Sequence, residues 1–263
     1  MSPRISIIIP VLNEAAYVGR LLASLDNEQD IEIIVVDGGS TDDTLTELKR
    51  FPLLKIVNSS LGRGIQLNQG AKIATGEILW FLHADSIIPA NWREAIEEIL
   101  AEPGVAAGSF SLKFSEEHRM LKVFAAFSRL NYPLLTYGDQ GYFMRRAIFD
   151  KVGGFEDYPI LEDVEIQCRL RKVGRWKKSK SSLVTSARRF IAKGIIRQQL
   201  KNIGIVSLFL AGASPFWLSR FYLPESTDQA NPVAQSTSRK PTALIVFESK
   251  KGRFTKLPLS VKS

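Results

Sequence analysis

Short apolar runs alternate with helix-length amphipathic segments along the first hundred residues. The first two runs are dominated by β-branched residues, which is typical of strands buried on both faces of a parallel sheet. The runs are Ile5–Ile9, Ile31–Val36, Leu53–Val57 and Ile78–Leu82. The segments that predict helices are Glu14–Leu25, Asp42–Arg50, Gly64–Ala74 and Asn91–Ala101. This alternation predicts right-handed βαβ units, and hence one α/β domain with a mostly parallel central sheet flanked by helices.

The pattern is less regular beyond Glu102. Further strands are predicted at Val105–Phe114 and Gln140–Met144, and further helices at His118–Leu130, Leu161–Lys172 and Phe190–Leu210. From Pro224 the chain becomes polar and proline-containing, so residues 1–223 are assigned to the domain and residues 224–263 to a linker and disordered tail. The tail holds one strand-like run, Ala243–Phe247, without an evident partner. A truncated second domain is the alternative interpretation of this tail.

Three of the predicted strands are followed by polar or acidic residues. These segments are Pro10–Glu14 (PVLNE), Asp37–Ser40 (DGGS) and His83–Asp85 (HAD). Ligands of open α/β sheets bind at the carboxyl ends of the strands. The sequence therefore predicts a binding site at this edge of the sheet.

The segment DGGSTDDT suits a turn that approaches a ligand. Gly38 and Gly39 allow a tight turn with the backbone close to a bound group. The Asp37 carboxylate is able to accept hydrogen bonds from the imide edge of a uracil or from a nucleoside hydroxyl. A plain strand-to-helix turn with acidic capping residues is the competing interpretation.

The HAD segment suits a divalent cation. In extended backbone, His83 and Asp85 point the same way. An imidazole and a carboxylate can bind Mn²⁺ or Mg²⁺, with diphosphate oxygens completing the octahedron. The alternative is an N-cap aspartate beside an incidental histidine.

Three later segments carry further candidate side chains. Leu161–Glu165 (LEDVE) places three acids in the first turn of a predicted helix, where they complement the helix dipole or supply a general base. Gly138–Gly141 (GDQG) is a polar turn that can offer side chains to a sugar or an acceptor. Arg188 and Arg189 suit a leaving diphosphate, or form a solvated surface pair.

Charge is distributed unevenly along the chain. The net charge is +8, and the segment Arg169–Lys201 contains twelve Lys or Arg residues and no Asp or Glu. Such a segment attracts a nucleoside diphosphate, an anionic lipid surface or nucleic acid. Nucleic acid is disfavoured because no helix-turn-helix, zinc-finger or single-strand-binding signature accompanies the charge.

The compartment and the membrane contact are predicted from two further features. A single cysteine, Cys168, excludes an internal disulfide and favours a reducing cytoplasm. The apolar segment Ile203–Leu218 is interrupted by Gly, Ser and Pro, so it predicts a peripheral contact with an anionic membrane and not a spanning helix. Packing against the sheet and a homodimer contact stay open for this segment.

In their order along the chain, PVLNE, DGGSTDDT, HAD, GDQG and LEDVE resemble glycosyltransferase family 2, which has the GT-A fold. The resemblance covers about Ile5–Tyr222. It is strongest to the small branch catalogued as arsenosugar-biosynthesis or radical-SAM-associated transferases. It implies an inverting, metal-assisted transfer of a sugar from a nucleotide-sugar to a hydroxyl acceptor. The favoured donor is a UDP-sugar, and the sequence does not identify the acceptor.

The resemblance also implies a role for each matching position. The nucleotide-sugar site would comprise Pro10, Val11, Asn13, Glu14, Asp37, Gly38, Asp42, Arg63, His83, Ala84 and Asp85. The metal (Mn²⁺ or Mg²⁺) would be bound by Asp85 with His83, although many relatives carry Asp where this chain has His83. Asp163 would be the catalytic base and Glu162 its acidic neighbour. Asp139, Gln140 and Gly141 would bind the acceptor. Arg188 and Arg189 would bind the diphosphate.

Two other classes of function stay open. A nucleotidyltransferase can share this architecture, but it would be expected to carry a glycine-rich loop with a basic residue where this chain reads VLNEAAYVGR. A non-catalytic nucleotide-sugar-binding relative is favoured by His83 and by the unusual tail, and is disfavoured by the retained Asp85 and Asp163. Hydrolysis of UDP-sugars with Mn²⁺ separates the three classes.

Overall fold

The computed structural model describes residues 4–26, 28–187, 191, 194–222, 247–250 and 253–256. The strands are β1 Ile5–Val11, β2 Ile31–Asp37, β3 Lys55–Asn58, β4 Ile78–Phe81, β5 Val105–Phe114, β6 Phe143–Arg145, β7 Arg175–Thr185, β8 Phe247–Lys250 and β9 Arg253–Lys256. The helices are α1 Ala15–Leu25, α2 Thr44–Leu48, α3 Arg63–Ile73, α4 Trp92–Ala101, α5 Arg119–Phe127, α6 Arg146–Val152, α7 Glu162–Val173, α8 Ile195–Leu210 and α9 Pro215–Tyr222.

One sheet organises the domain, in the order β7-β5-β6-β4-β1-β2-β3-β8-β9. Strand β1 pairs in parallel with β2 and β4, and β2 pairs in parallel with β3. Strand β6 is antiparallel to both β4 and β5, and β7 is parallel to β5. Strands β1 to β5 and β7 therefore all point the same way. The predicted α/β fold with a mostly parallel central sheet is confirmed.

The central strands are buried on both faces because helices cover both sides of the sheet. Along β1, Ile7 belongs to the core shared with α1 and α4, whereas Ile8 belongs to the core shared with α3 and α7. This alternation follows from the period of two residues in a strand. In the first core, Trp80 of β4 stacks on Trp92 of α4, with ring centroids 4.8 Å apart.

The sequence pattern did not predict β7, α6 or α9. The segment Arg175–Thr185 had been counted only as part of the basic stretch, yet it forms a long strand beside β5. Its pairing with β5 contains two register shifts, and its buried residues fall at irregular intervals. A strand of this kind lacks the strict alternation on which prediction from sequence depends.

Within residues 224–263 the structure describes two strands, and the assignment of this segment to a linker and disordered tail stays a prediction. Strands β8 and β9 pair antiparallel with each other, and Phe247 of β8 pairs with Ile56 of β3. The predicted strand-like run Ala243–Phe247 thus has a partner at Phe247, and its first four residues lie outside the described residues. The hairpin covers the edge that β3 would otherwise expose. The proposal of a truncated second domain stays a prediction.

A buried carboxylate joins four segments at the amino edge of the sheet. Glu32 of β2 is 8% exposed. One of its oxygens accepts hydrogen bonds from Ser6 Oγ at 2.5 Å and from the Gly76 amide at 2.9 Å, and also from the Thr75 amide. The other accepts from Lys55 Nζ at 2.6 Å. Burial alone would raise the pKa of Glu32, but these donors outweigh it and lower the pKa to about 2.

We expect Glu32→Gln to lower the free energy of unfolding by about 2–3 kcal/mol at neutral pH, because an amide cannot accept all of these bonds. A carboxyl with a lowered pKa stabilises the fold above its unfolded pKa and loses this effect as pH falls through its folded pKa. The difference should therefore shrink between about pH 4.5 and about pH 2. Urea unfolding at several pH values measures it.

Glu47→Gln is the matched control. Glu47 pairs with Arg50 at 2.9 Å, and the Arg50 side chain is 71% exposed. Removal of such a surface pair should cost about 0–1 kcal/mol. Equal losses for the two variants would contradict the role assigned to Glu32.

Candidate active site

The loops that follow β1 and β2 are joined by hydrogen bonds. Asn13, in a left-handed conformation with φ 56°, accepts a hydrogen bond from the Thr41 amide at 2.8 Å. Its own amide donates to Ser40 Oγ at 2.9 Å, and the Glu14 amide donates to Thr44 Oγ1 at 2.8 Å. One oxygen of Asp42 accepts from the Ala15 amide of the first loop at 3.3 Å, and the other accepts from the Thr44 amide at 2.9 Å. Asn13 and Asp42 therefore hold two loops of the predicted nucleotide site as one unit.

The Asp37 carboxylate stabilises the turn that follows β2. It is 3% exposed, and its carboxylate accepts hydrogen bonds from the amides of Gly39 at 3.0 Å and Ser40 at 3.1 Å. Behind this turn, the Gln66 side-chain amide donates to the carbonyls of Val11 and Val36 at 2.9 and 2.8 Å. A Cβ at Gly38 would lie 3.0 Å from that amide, so a larger residue there would require the Gln66 side chain to shift. Sequence reasoning missed Gln66.

The residues of the HAD segment have different surroundings: one lies in the core and another faces the site. Ala84 is 4% exposed and belongs to the core shared with α1 and α4. His83 lies close to the turn that precedes β6, because a Cβ at Gly138 would lie 3.6 Å from His83 Nε2. The same Cβ would lie 3.2 Å from Asp163 Oδ2. Gly138 therefore separates the imidazole from the first turn of α7.

The first turn of α7 fixes two acids in different ways. One oxygen of Asp163 accepts a hydrogen bond from the Gly138 amide at 2.6 Å, and the other accepts from the Val164 amide at 2.8 Å. Glu162 is 3% exposed and pairs with Arg63 at 3.2 Å. The negative charges of Glu162 and then of Asp163 raise the pKa of Arg63, so the guanidinium stays protonated. Arg63, assigned to the nucleotide-sugar from the sequence, thus contacts the acidic pair.

Asp139 is a second buried carboxyl of this region whose pKa is raised. It lies in the 3-10 turn Gly138–Gln140, and its Oδ1 is buried without a hydrogen-bond partner among the described residues. Burial, and then the charges of Asp163 and Asp85, raise the pKa of Asp139 to about 7. Asp85, Asp139 and Asp163 are therefore close enough to interact electrostatically. Asp37 lies at the same edge of the sheet, two strands or about 10 Å from the end of β4.

The structure does not support acceptor contacts for Gln140 and Gly141. Gln140 is fully buried, its amide nitrogen donates to the Leu135 carbonyl at 2.8 Å, and its oxygen accepts from Lys178 Nζ. A Cβ at Gly141 would lie 2.7 Å from Leu183. Gln140 and Gly141 thus pack on the buried side of the turn. Asp139 Oδ1, by contrast, has no hydrogen-bond partner among the described residues. Arg188 and Arg189 lie outside the described residues.

Lys178 is a site residue that sequence reasoning missed. It reaches the turn from β7, the strand that the pattern did not predict. Burial lowers the pKa of Lys178 to about 7, although the charge of Asp139 opposes this shift. Arg63 and Lys178 are thus two basic groups that face the three acids of the site. Lys178 could have been predicted as a site residue only if the pairing of β7 with β5 had been known.

The candidate metal ligands suit a metal that is shared with a substrate. Within the described ranges, no group of three or more His, Cys, Asp or Glu side chains has the arrangement that holds a metal ion. His83 and Asp85 supply at most two donors. Mg²⁺ is commonly bound by one or two carboxylates together with substrate phosphates and water. The residues therefore fit a divalent ion that arrives with a diphosphate, and not an ion bound by the protein alone.

The fold and the acidic sheet edge define an α/β protein of the GT-A type. The family described as Glycosyl transferase family 2 matches residues 6–153, which is more than half of the chain. The chain belongs to this family of glycosyltransferases. The predicted family and the GT-A fold are thereby confirmed.

Curated relatives match over part of their length. A PGL/p-HBAD biosynthesis glycosyltransferase of Mycobacterium bovis is 41% identical over 92 residues, covering 32% of this chain and 36% of the relative. A beta-monoglucosyldiacylglycerol synthase of Nostoc sp. is 25% identical over 198 residues, covering 66% of this chain and 42% of the relative. The chain thus spans less than half the length of these relatives.

A solved structure shares the fold. It is the mannosyltransferase PcManGT of Pyrobaculum calidifontis in complex with GDP-Man and Mn²⁺, with a TM-score of 0.59 and 24% identity. The match covers 82% of this chain and 67% of that one.

We expect Asp139→Asn to become more stable relative to the wild type as pH rises. A carboxyl with a raised pKa contributes stability below its unfolded pKa and loses it as pH rises through its folded pKa, here about 7. In the presence of a chelator, the free energy of unfolding of the variant should rise relative to that of the wild type between about pH 4 and about pH 8. The change should reach about 2–3 kcal/mol.

Thermal unfolding across this pH range measures the effect. Asp150→Asn, at an exposed position of α6, is the control and should show no such trend. A pH-independent difference between Asp139→Asn and the wild type would mean that Asp139 is not crowded by Asp85 and Asp163.

Proposed function

We propose that this protein transfers a sugar from a nucleoside diphosphate sugar to a hydroxyl acceptor, with inversion at the anomeric carbon. The observation that carries the proposal is the placement of Asp163. Its carboxylate is oriented by the amides of Gly138 and Val164, beside the strand end that carries His83 and Asp85. A general base needs this combination of fixed orientation and proximity to the leaving group.

The reaction would proceed as a single displacement. The carboxylate of Asp163 accepts the proton of the acceptor hydroxyl, whose oxygen forms a bond to the anomeric carbon. The bond between that carbon and the diphosphate oxygen breaks on the opposite side, and the nucleoside diphosphate leaves with the electron pair. Glu162 and Arg63 form the adjacent ion pair, which holds the start of α7 against the start of α3.

The joined loops after β1 and β2 are proposed to bind the nucleoside. Pro10, Val11, Asn13 and Glu14 come from the first loop, and Asp37, Gly38 and Asp42 from the second. Because Asn13 and Asp42 already fix these loops to each other, the loops would lose little conformational entropy when the nucleoside binds. The Asp37 carboxylate, held in its turn by two amides, would accept a further hydrogen bond from the base.

We propose that Asp85 and His83 hold a divalent ion, Mn²⁺ or Mg²⁺, together with the donor diphosphate. When bound, such an ion stabilises the negative charge that develops on the leaving group. The crowding of Asp85, Asp139 and Asp163 supports this proposal, because like charges at close range favour a bound cation. The complex of PcManGT with GDP-Man and Mn²⁺ supports it independently.

Three finer assignments are proposals as well. The HAD and GDQG segments support membership of the arsenosugar-biosynthesis or radical-SAM-associated branch. The acid-free basic segment from Arg169 supports a peripheral contact with an anionic membrane. A homodimer contact through Ile203–Leu218 is the competing proposal for the neighbouring apolar segment. A nucleotidyltransferase and a non-catalytic binding protein are the other outcomes of the activity test below.

We expect Asp163→Asn to lower kcat by about 10²–10⁴-fold while donor affinity is nearly unchanged, because only the proton acceptor is lost. Asp85→Ala should instead abolish turnover and most metal-dependent nucleotide binding. Release of UDP or GDP from UDP- and GDP-sugars with Mn²⁺ measures turnover, and calorimetry measures donor binding.

Asp150→Asn again serves as the control and should behave as the wild type. Equal loss of donor binding in Asp163→Asn and Asp85→Ala would contradict the division of roles. Donor binding without any nucleotide release by the wild type would favour the non-catalytic alternative. Release of pyrophosphate on incubation with a nucleoside triphosphate and a sugar phosphate would identify a nucleotidyltransferase.

A further inference from the structure

Helices α8 and α9 form a hairpin that exposes large apolar side chains. We call this surface the hairpin face, and each of its side chains is between 43% and 65% exposed. It consists of Ile196, Leu200, Leu208, Leu210, Phe216, Trp217 and Phe221. Within the residues that the structure describes, no helix is long and apolar enough to cross a membrane.

The charged side chains that α8 and α9 themselves carry are all basic. No Asp or Glu occurs in the sequence from Arg169 to Tyr222. Arg197 and Lys201 lie on α8, and Arg220 lies on α9. Apolar and aromatic side chains flanked only by basic ones match the boundary of an anionic leaflet, where tryptophan also partitions favourably.

The buried side of the hairpin packs against the segment that leads into the catalytic helix. Ile160 forms a buried cluster with Ile205 of α8 and Leu218 of α9, and Leu161 packs against this cluster. Tyr158 contacts Phe209 and Phe216, with ring centroids 6.3 and 5.9 Å away. The next residues along the chain are Glu162 and Asp163. The buried side of the hairpin therefore packs against the residues that directly precede the proposed catalytic base.

We propose that the hairpin face docks on an anionic membrane surface, and that the acceptor is a hydroxyl-bearing lipid of that membrane. The proposal rests on the proposed function, because it names the acceptor of the same site. A lipid whose tails stay in the leaflet beside α8 and α9 would present its head-group hydroxyl towards Asp163. The hairpin thus joins membrane contact to the position at which the acceptor is deprotonated.

A second copy of this chain fits the hairpin face less well. A two-fold contact through the face would bring Arg197, Lys201 and Arg220 towards their own copies, with no acidic residue between Arg169 and Tyr222 to compensate them. An anionic leaflet neutralises the same charges. The charge pattern therefore favours a lipid surface over self-association.

Flotation with vesicles tests the docking. We expect the wild type to float with phosphatidylcholine vesicles that contain phosphatidylglycerol at low salt, and to be released by high salt. The double variant Leu200→Ser/Trp217→Ser should partition about tenfold or more weakly, because it removes buried apolar area from the contact. Leu53→Ser, which changes a residue 78% exposed in the loop before β3, should float as the wild type does.

Absence of wild-type flotation at low salt would overturn the proposal, as would equal flotation of the double variant and the wild type. Sedimentation of the wild type as a dimer that the double variant dissociates would assign the face to a second copy, which also overturns it. Circular dichroism of the double variant, expected to match the wild type, shows that the fold is retained.

A transfer assay tests the acceptor. With radiolabelled UDP- or GDP-sugars and vesicles of total bacterial lipid, we expect label in the organic phase for the wild type and about tenfold less for the double variant. Label found only in water-soluble products would overturn the lipid acceptor. Nucleotide release without vesicles should be equal in both proteins. Vesicle binding without any nucleotide release would contradict the proposed function but not the docking.

Discussion

The reversal of β6 in an otherwise parallel sheet determines where the candidate site lies. Strand β6 runs antiparallel between β4 and β5. The start of an antiparallel strand lies at the edge where its parallel neighbours end. The turn Gly138–Gly141, which precedes β6, is therefore placed beside His83 and Asp85, which follow β4. Without this reversal, the turn and the HAD segment would lie at opposite edges of the sheet.

The same turn brings α7 to this edge, through the hydrogen bond from the Gly138 amide to Asp163. Three carboxylates then share a small region, and burial together with their repulsion raises the pKa of Asp139. Arg63 and Lys178 oppose this negative charge from α3 and β7. The protein alone thus leaves the region rich in negative charge. The proposed diphosphate, itself an anion, would need a cation to bind there, which agrees with the proposal of a divalent ion shared with the substrate.

Much of this arrangement could be predicted from the sequence, because the central strands are uniformly apolar. Burial on both faces of β1 and β2 requires such runs, and parallel pairing then places PVLNE, DGGS and HAD at one edge. The predictions failed where tertiary contacts decide. Lys178 lies on a strand with two register shifts, so no alternation marks it. Gln66 and Gln140 are polar residues whose burial depends on carbonyls and side chains far along the chain.

Leu161 connects the hairpin to the chemistry through backbone strain. Its φ is 69°, a left-handed conformation that costs a residue with a Cβ about 1–2 kcal/mol. Such a conformation persists when the surrounding contacts compensate its cost. Here the contacts are those of Leu161 with the cluster of Ile160, Ile205 and Leu218. Because the left-handed residue sets the direction in which α7 begins, the packing of α8 and α9 also orients Glu162 and Asp163. The contacts that hold the hairpin in place are therefore the same contacts that fix the start of α7.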